Sequence, residues 1–563
     1  MKNSVSDKNL FIESEDEDDE LDGCEVEEGP KEEAGSDGSD SSSDESDEGP
    51  RGSRPSSYTN QWPQSYRQSI DMFTGVTPPT ISFLGTPSLS RFSSSFLTSS
   101  FGGKHTPDII SSILKPLLPT TSDDQQQQQQ HSQEEIKSSQ SILIPTPSRK
   151  SSLSVIPEDK RVDAHGMPMS HQSSFTQGVL NGVNVLCGVG LLSAPYAIKQ
   201  GGWLGIILLF LFGTLAFYTG ILLRKCLDSE EGLETYPDIG QAAFGTYGRI
   251  AISIILYMEL YACCVEYIIL ESDNLSSLFP NIHLNIAGFH LNSHIFFAIL
   301  TTLIVLPTTW FRDLSVLSYI SAGGVIASVL VVGCLFWAGL IDHVGFESKN
   351  DTILNISGMP IAIGLYGYCY SGHAVFPNIY SSLKNKSHFP AILLTSFLVC
   401  TGLFAGAATI GYMMFGETSA SQFTLNLPNN LVVSKIGIWT TVCFPLITYA
   451  LTLTPMALSF EELITSNRQK SHLYAIAIRS TLTISTLCVA LSVPFFGLVM
   501  ALVGSLFTML VTFIFPCACF LSIVRGKITW LQGSICTLII AVGLASAGIG
   551  TSSSLAQIIQ NLS

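Results

Sequence analysis

The sequence predicts an all-α integral membrane protein, with eleven transmembrane helices in a domain over residues 171–563 behind a disordered acidic tail over residues 1–170. Three observations carry that reading. Only 13% of the 563 residues are Asp, Glu, Lys or Arg, about half the share of a soluble protein, while 46% are hydrophobic. Mean hydropathy is +0.35 although the tail is plainly polar, so the remainder is strongly apolar. From Ser174 on, apolar runs of about 20 residues recur, long enough to cross the hydrocarbon core as helices. A cytosolic enzyme, a secreted disulfide scaffold and a nucleic-acid binder fit none of these.

The tail divides into an acidic block (1–50), a Ser/Pro/Thr-rich block (51–122), a glutamine run (Gln125 to Gln130) and a Ser-rich linker. It has too few clustered apolar residues to offset the entropy of ordering. Residues 1–50 hold twenty acidic and three basic residues, a balance of −17 that equals the net charge of the whole chain. An acidic tail repels nucleic acid and anionic lipid, so no nucleic-acid partner is expected. Ser41, Ser42 and Ser43 before Asp44 and Glu45 suit an acid-directed kinase, and Arg149-Lys150-Ser151-Ser152 a basic-directed one. The start lacks a basic region followed by an apolar core, so the first spanning helix is expected to serve as the insertion signal.

Eleven apolar segments follow: 174–197, 202–225, 249–272, 291–310, 314–341, 358–379, 389–416, 431–459, 473–492, 494–523 and 528–552. With the tail cytosolic, fifteen Lys and Arg residues from Arg149 onward fall on the cytosolic side and three (Lys199, Lys349, Lys435) on the far side. That is the bias the positive-inside rule requires. It alternates at every loop, which supports eleven spans over ten and places the C-terminus on the far side. Sequons at Asn274, Asn350 and Asn355 fall in segments expected on the far side. Eleven of the thirteen cysteines lie in apolar stretches, Cys24 and Cys226 being the exceptions, and they read as small buried packing residues. No metal-ligand spacing occurs among them, and no cofactor is expected.

Two spans are interrupted in matching ways. The first reads Asn184-Val-Leu-Cys-Gly188-Val-Gly190-Leu-Leu-Ser193-Ala-Pro195, and the sixth Gly364-Leu-Tyr-Gly367-Tyr-Cys-Tyr370-Ser371-Gly372-His373-Ala-Val-Phe-Pro377. Lipid offers no partner to a free N–H or C=O, so a membrane helix unwinds only where it lines a site. Lying five spans apart, the two cross in opposite directions. That predicts a five-plus-five inverted repeat with one extra helix, whose broken helices meet at the midplane. Their free amides face an anionic group there and their free carbonyls a cation. An amino acid zwitterion carries both charges.

The stretch N-x-x-x-G-x-G-x-L-x-x-P-Y-A from Asn184 to Ala197, followed by Gly201-Gly202-Trp203, resembles the first helix of the amino acid/auxin permease family. Tyr236-Pro-Asp-Ile-Gly240, Phe244-Gly245, the segment from Glu266 to Leu275 and Gly411-Tyr-Met-Met-Phe-Gly416 extend the likeness to its plant vacuolar amino acid transporter subgroup, over roughly residues 170–550. The resemblance implies an eleven-helix, LeuT-like transporter that moves amino acids in exchange or symport with protons. Carried over by position, Gly188, Val189 and Gly190 line the site for the substrate carboxylate. Asn184 matches the motif asparagine that sodium-using relatives place near the cation. Tyr366, Gly367, Tyr370 and Ser371 close the site from the sixth helix.

Ionisable side chains inside a membrane cost about 2.5–3.5 kcal/mol at mid-helix on insertion scales, so they are functional candidates. Glu259 and Glu266 of the third span are two helical turns apart and share a face, about 10 Å from each other. With His373 of the sixth span they are the candidates for proton coupling, Glu266 foremost. Sodium would instead need neutral oxygens, which Asn184, Thr440, Thr441 and Thr448 supply. Apart from His373, the two interrupted segments carry no charge, which favours neutral amino acids. A sensor with little flux, signalling through the tail, is the competing class. An intramembrane enzyme or ATP-driven pump is not supported: the chain has no H-E-x-x-H, G-x-S-x-G or P-loop.

Overall fold

In a computed structural model of the protein, the described residues are parts of 62–70 and residues 173–563, apart from 283, 287–288, 312–322, 347–351 and 465–471. The acidic block, the glutamine run, Cys24, Ser41 to Ser43, Ser151, Ser152, Arg312, Lys349, Asn350 and the start of the fifth predicted span therefore lie outside them.

A helix lies on each of the eleven segments. The first holds α1 (Phe175–Leu186), a 3-10 turn (Val189–Ser193) and α2 (Ala194–Gly201). Next come α3 (Ile206–Leu227), α4 (Tyr236–Leu278), α5 (Ser293–Thr309) and α6 (Gly324–Leu340). The sixth segment is split into α7 (Met359–Tyr368) and α8 (Phe376–Ser382). The remainder are α9 (Phe389–Phe415), α10 (Val432–Ile464), α11 (His472–Ser492), a tenth segment of α12 (Phe496–Val503), a π-helical stretch (Gly504–Ile514) and α13 (Phe515–Ile523), and α14 (Trp530–Leu562). Among the described residues, seven helices are long and apolar enough to cross a membrane alone, and α1 with α2, bent by 50° at the break, would make an eighth. The fourth and fifth segments carry helices of 17 residues, at the short end of the spanning range. The all-α expectation meets one small exception, an antiparallel hairpin of β1 (Leu284–Ile286) and β2 (Phe289–Leu291) joining α4 to α5.

Local chemistry sets the ends. Capping boxes start α1 (Ser174 with Gln177), α4 (Thr235 with Asp238) and α14 (Thr529 with Gln532). The third span is longer than its apolar core, because the helix begins at Tyr236 and turns at Gly245, whose φ of 67° suits only glycine. Across that turn, Arg249 Nη1 meets Asp238 Oδ1 at 2.7 Å, with both residues buried. In their most apolar windows, the tenth segment is 72% buried and α11 and α14 only 28% each, so the tenth lies central and the other two peripheral. α7 crosses the junction of α12 and the π-helical stretch backbone against backbone: a Cβ on Gly364 would strike the Ala501 carbonyl of α12, and one on Gly504 the Gly364 carbonyl.

Two sequence expectations are corrected. Cys443 and Cys488 are exposed on the outside of the bundle rather than buried, whereas Cys226, outside any apolar run, is fully buried. A helix presents all its faces in turn, and an apolar run does not say which faces meet lipid. Asn274 is no loop sequon either: it is buried in α4, donating to Leu270 O and Gln422 Oε1 and accepting from Thr424 Oγ1.

Candidate functional site

The first break lies between α1 and α2. α1 ends with the Cys187 amide on Val183 O, and the chain resumes at Val189. The amides of Gly188, Val189 and Gly190 have no hydrogen-bond partner among the described residues. Ser328 of α6 donates to Cys187 O at 2.9 Å. Beside this break is a cavity of about 60 Å³ whose lining includes Gly188, Val189, Tyr267, Ser328, Thr440, Thr441 and Phe444. Among the described residues, no Asp, Glu, Lys or Arg lines it.

The second break, between α7 and α8, is filled. Ser371 Oγ donates to Glu259 Oε1 at 2.6 Å, and Thr508 Oγ1 of the π-helical stretch donates to the same oxygen at 2.9 Å. Tyr368 OH donates to Glu266 Oε2 at 2.6 Å. Both carboxyl groups are buried, and both reach from α4 to the end of α7. The two breaks touch: a Cβ on Gly190 would lie 3.3 Å from Tyr368 Cδ1 and 3.4 Å from Cys369 Cα. A proton held at Glu266 therefore sits one side chain from the backbone of the first break.

The expected site residues separate into groups. Gly188 and Val189 line the cavity, with Thr440 and Thr441 opposite. Thr448 does not line it, and its hydroxyl donates within α10 to Phe444 O. Gly190 faces α7 rather than the cavity. Asn184 Oδ1 is buried with no partner among the described residues, near Gly324. Glu259, Glu266 and Ser371 come together. Tyr366 and Tyr370 face the other way: Tyr366 packs near Gly205, while Tyr370 bonds Thr401 at 2.9 Å and stacks on Phe397. Gly367 packs on Met509 and Gly504. His373 is separate from the glutamates. Its Nε2 lies 3.1 Å from Ala216 O and 3.0 Å from Thr219 Oγ1 of α3. A carbonyl only accepts, so Nε2 carries the proton in this arrangement.

Sequence reasoning missed Tyr368, Thr508, Ser328, Tyr267 and Phe444. It also passed over Glu271, which is buried on α4 with neither carboxyl oxygen bonded among the described residues. Glu271 lies within the third predicted span, so the rule that singled out Glu259 and Glu266 applied to it equally. The others are ordinary residues for a membrane helix and carry no signal by type.

Residues 171–556 match the transmembrane amino acid transporter protein family. The chain is 59% identical over 562 residues to amino acid transporter AVT1C of Arabidopsis thaliana, covering all of both chains. It is 56% identical over 565 residues to amino acid transporter AVT1B of the same plant, again covering all of both. With amino acid transporter AVT1I, also of Arabidopsis thaliana, it shares 40% identity over 351 residues, 62% of this chain and 86% of that one.

Proposed function

This chain belongs to the transmembrane amino acid transporter family, and from that premise we propose that it is a proton-coupled antiporter of neutral amino acids in the vacuolar membrane. Amino acid transport follows from the family and from what its relatives are named for. The observation that carries proton coupling is the Glu266–Tyr368–Gly190 contact, which links a buried ionisable group to the unwound backbone of the first break. In the proposed cycle, the substrate carboxylate docks on the amides of Gly188, Val189 and Gly190. Their positive dipole ends face it without a charged side chain. Protonation of Glu266 and Glu259 changes what Tyr368 and Ser371 can donate to, and so biases how α7 sits against α4. The neutral lining of the cavity favours neutral substrates. Antiport against protons would load an acidic lumen. The vacuolar address and a cytosolic tail rest on the subgroup resemblance and on the distribution of Lys and Arg.

Sodium symport is the second reading, favoured by Asn184 Oδ1, which is unpaired among the described residues, and by Thr440 and Thr441 lining the same cavity as Gly188. Uptake of radiolabelled amino acids into proteoliposomes, under an imposed pH gradient or a sodium gradient, decides between them. Uptake driven by the pH gradient alone is the expected result. Uptake that needs sodium overturns proton coupling, and binding without flux under either gradient favours the sensor.

A further inference from the structure

A short piece of the polar tail is built into the membrane body. Tyr66, Ser69 and Ile70 are 1% exposed or less, although they belong to a region whose composition predicts no packing. Trp62 Nε1 donates to Ser459 O of α10 at 3.2 Å, and Trp62 O accepts from Arg249 Nε of α4 at 3.1 Å. The Ser65 amide and hydroxyl both donate to Glu462 Oε2 at 3.2 Å, and Arg67 pairs with Glu234. The rings of Trp62 and Tyr66 lie 6.0 and 6.1 Å from that of Tyr257 on α4. Tyr66 OH donates at 3.2 Å to Ala374 O, a carbonyl of the second break.

From these contacts, and from Asn378 of α8 donating to Arg67 O at 3.5 Å, we infer that the stretch carrying Trp62, Ser65, Tyr66, Arg67, Ser69 and Ile70 is a tethered plug. It fills a vestibule between α4, α8 and α10 and holds the transporter closed toward the side of the membrane on which the tail lies. The vestibule is a docking surface whose partner is this chain's own aromatic segment. Three features support it. The segment bridges α4, α10 and the second break, the elements that must part if the site is to open on that face. It bonds an unwound backbone carbonyl of the interrupted helix rather than an outer surface. Its polar contacts are complementary, with the Arg67 guanidinium on the Glu234 carboxylate and the Ser65 donors on the Glu462 carboxylate. Because residues 71–172 tether the segment to α1, release is reversible and set by effective concentration rather than by a free partner. The inference rests on the transport reading above, since a plug has meaning only where something passes.

The test compares the full chain with a full-length Tyr66→Ala/Arg67→Glu variant in proteoliposomes, and adds back a fluorescent peptide of residues 56–75. Initial uptake is expected to rise several-fold in the variant. The peptide should bind the variant saturably, with little binding to the parent, and slow uptake again. Should the double variant lose thermal stability, Ser65→Asp, which sets a carboxylate against Glu462 and keeps the buried ring, gives the same readout. Unchanged or slower uptake in a stable variant, or a peptide that does not bind, overturns the plug. If neither chain transports anything, the transport reading fails, while the peptide titration still decides whether the vestibule takes this segment.

Discussion

At the first break the amides of Gly188, Val189 and Gly190 have no partner among the described residues, and a small cavity lies beside them. At the second, the corresponding space is occupied by Glu259, Glu266 and the hydroxyls that serve them. Both breaks arise from glycines followed by a proline, and both leave backbone groups without helical partners. The difference is in what the neighbouring helices supply. α6 and α10 offer mainly apolar and hydroxyl side chains to the first break, and α4 offers two carboxyl groups to the second. One interruption therefore suits a ligand that comes and goes, and the other suits protons held by resident side chains.

Substitutions can break or sharpen that contrast. The largest effect is expected from Glu266→Gln. It should cut the stimulation of uptake by a pH gradient by about 5–150-fold, the usual range for coupling between two ligands. Exchange of substrate across the membrane without a gradient should survive. Full stimulation in this variant would show that the second break does not carry the protons.

Next in size is the pair Gly190→Ala and Gly188→Ala. The first pushes a methyl against Tyr368 and Cys369 and should cost about 1–3 kcal/mol. The second meets nothing within 4 Å, so stability should stay within about 0.5 kcal/mol while the KM for uptake rises. Thermal unfolding and uptake kinetics of the two variants separate contact between the breaks from contact with substrate. Equal destabilisation by both would remove the distinction.

Tyr368→Phe removes the donor to Glu266 and should cost about 1–3 kcal/mol for the carboxyl oxygen left behind. Its signature is a shifted midpoint in the dependence of uptake on pH, which a purely structural tyrosine would not move. The smallest effect belongs to Ser328→Ala. Losing one bond to Cys187 O is worth about 0.5–1.5 kcal/mol and should raise KM a few-fold with the pH profile unchanged.

The positions of the spans were legible because apolar length and charge alternation are local properties of the chain. Which side chains serve the site was less so. Glu259 and Glu266 stood out because a carboxyl group inside a membrane segment is costly wherever it points. Tyr366, Tyr368 and Tyr370 could not be told apart by type. Tyr366 and Tyr368, two residues apart within α7, point to opposite sides of it. Which side meets the glutamates is set by distant helices, and for Tyr370 the phase is lost where α7 ends. Hence Tyr366 and Tyr370 turned out to face α3 and α9, while Tyr368 holds Glu266. The packed piece of the tail did leave a trace: Trp62, Tyr66 and Ile70 recur every four residues, one face of a helix. Set among Ser, Gln and Pro, that stripe was outweighed by overall composition.

By itself, the sequence determined a membrane body behind an acidic tail, the places where its helices are interrupted, and the scarcity of charge near them. These follow from hydrocarbon thickness, from the cost of unpaired backbone in lipid and from the conformational freedom of glycine, all of which act on neighbouring residues. Only the tertiary structure decided that one break is open and the other filled, that His373 stands with α3 and not with the glutamates, and that part of the tail returns to the body. Each of these depends on contacts between residues far apart in the chain, such as Tyr66 with Ala374 or Thr508 with Glu259. No local rule fixes which of several similar side chains a distant helix will meet.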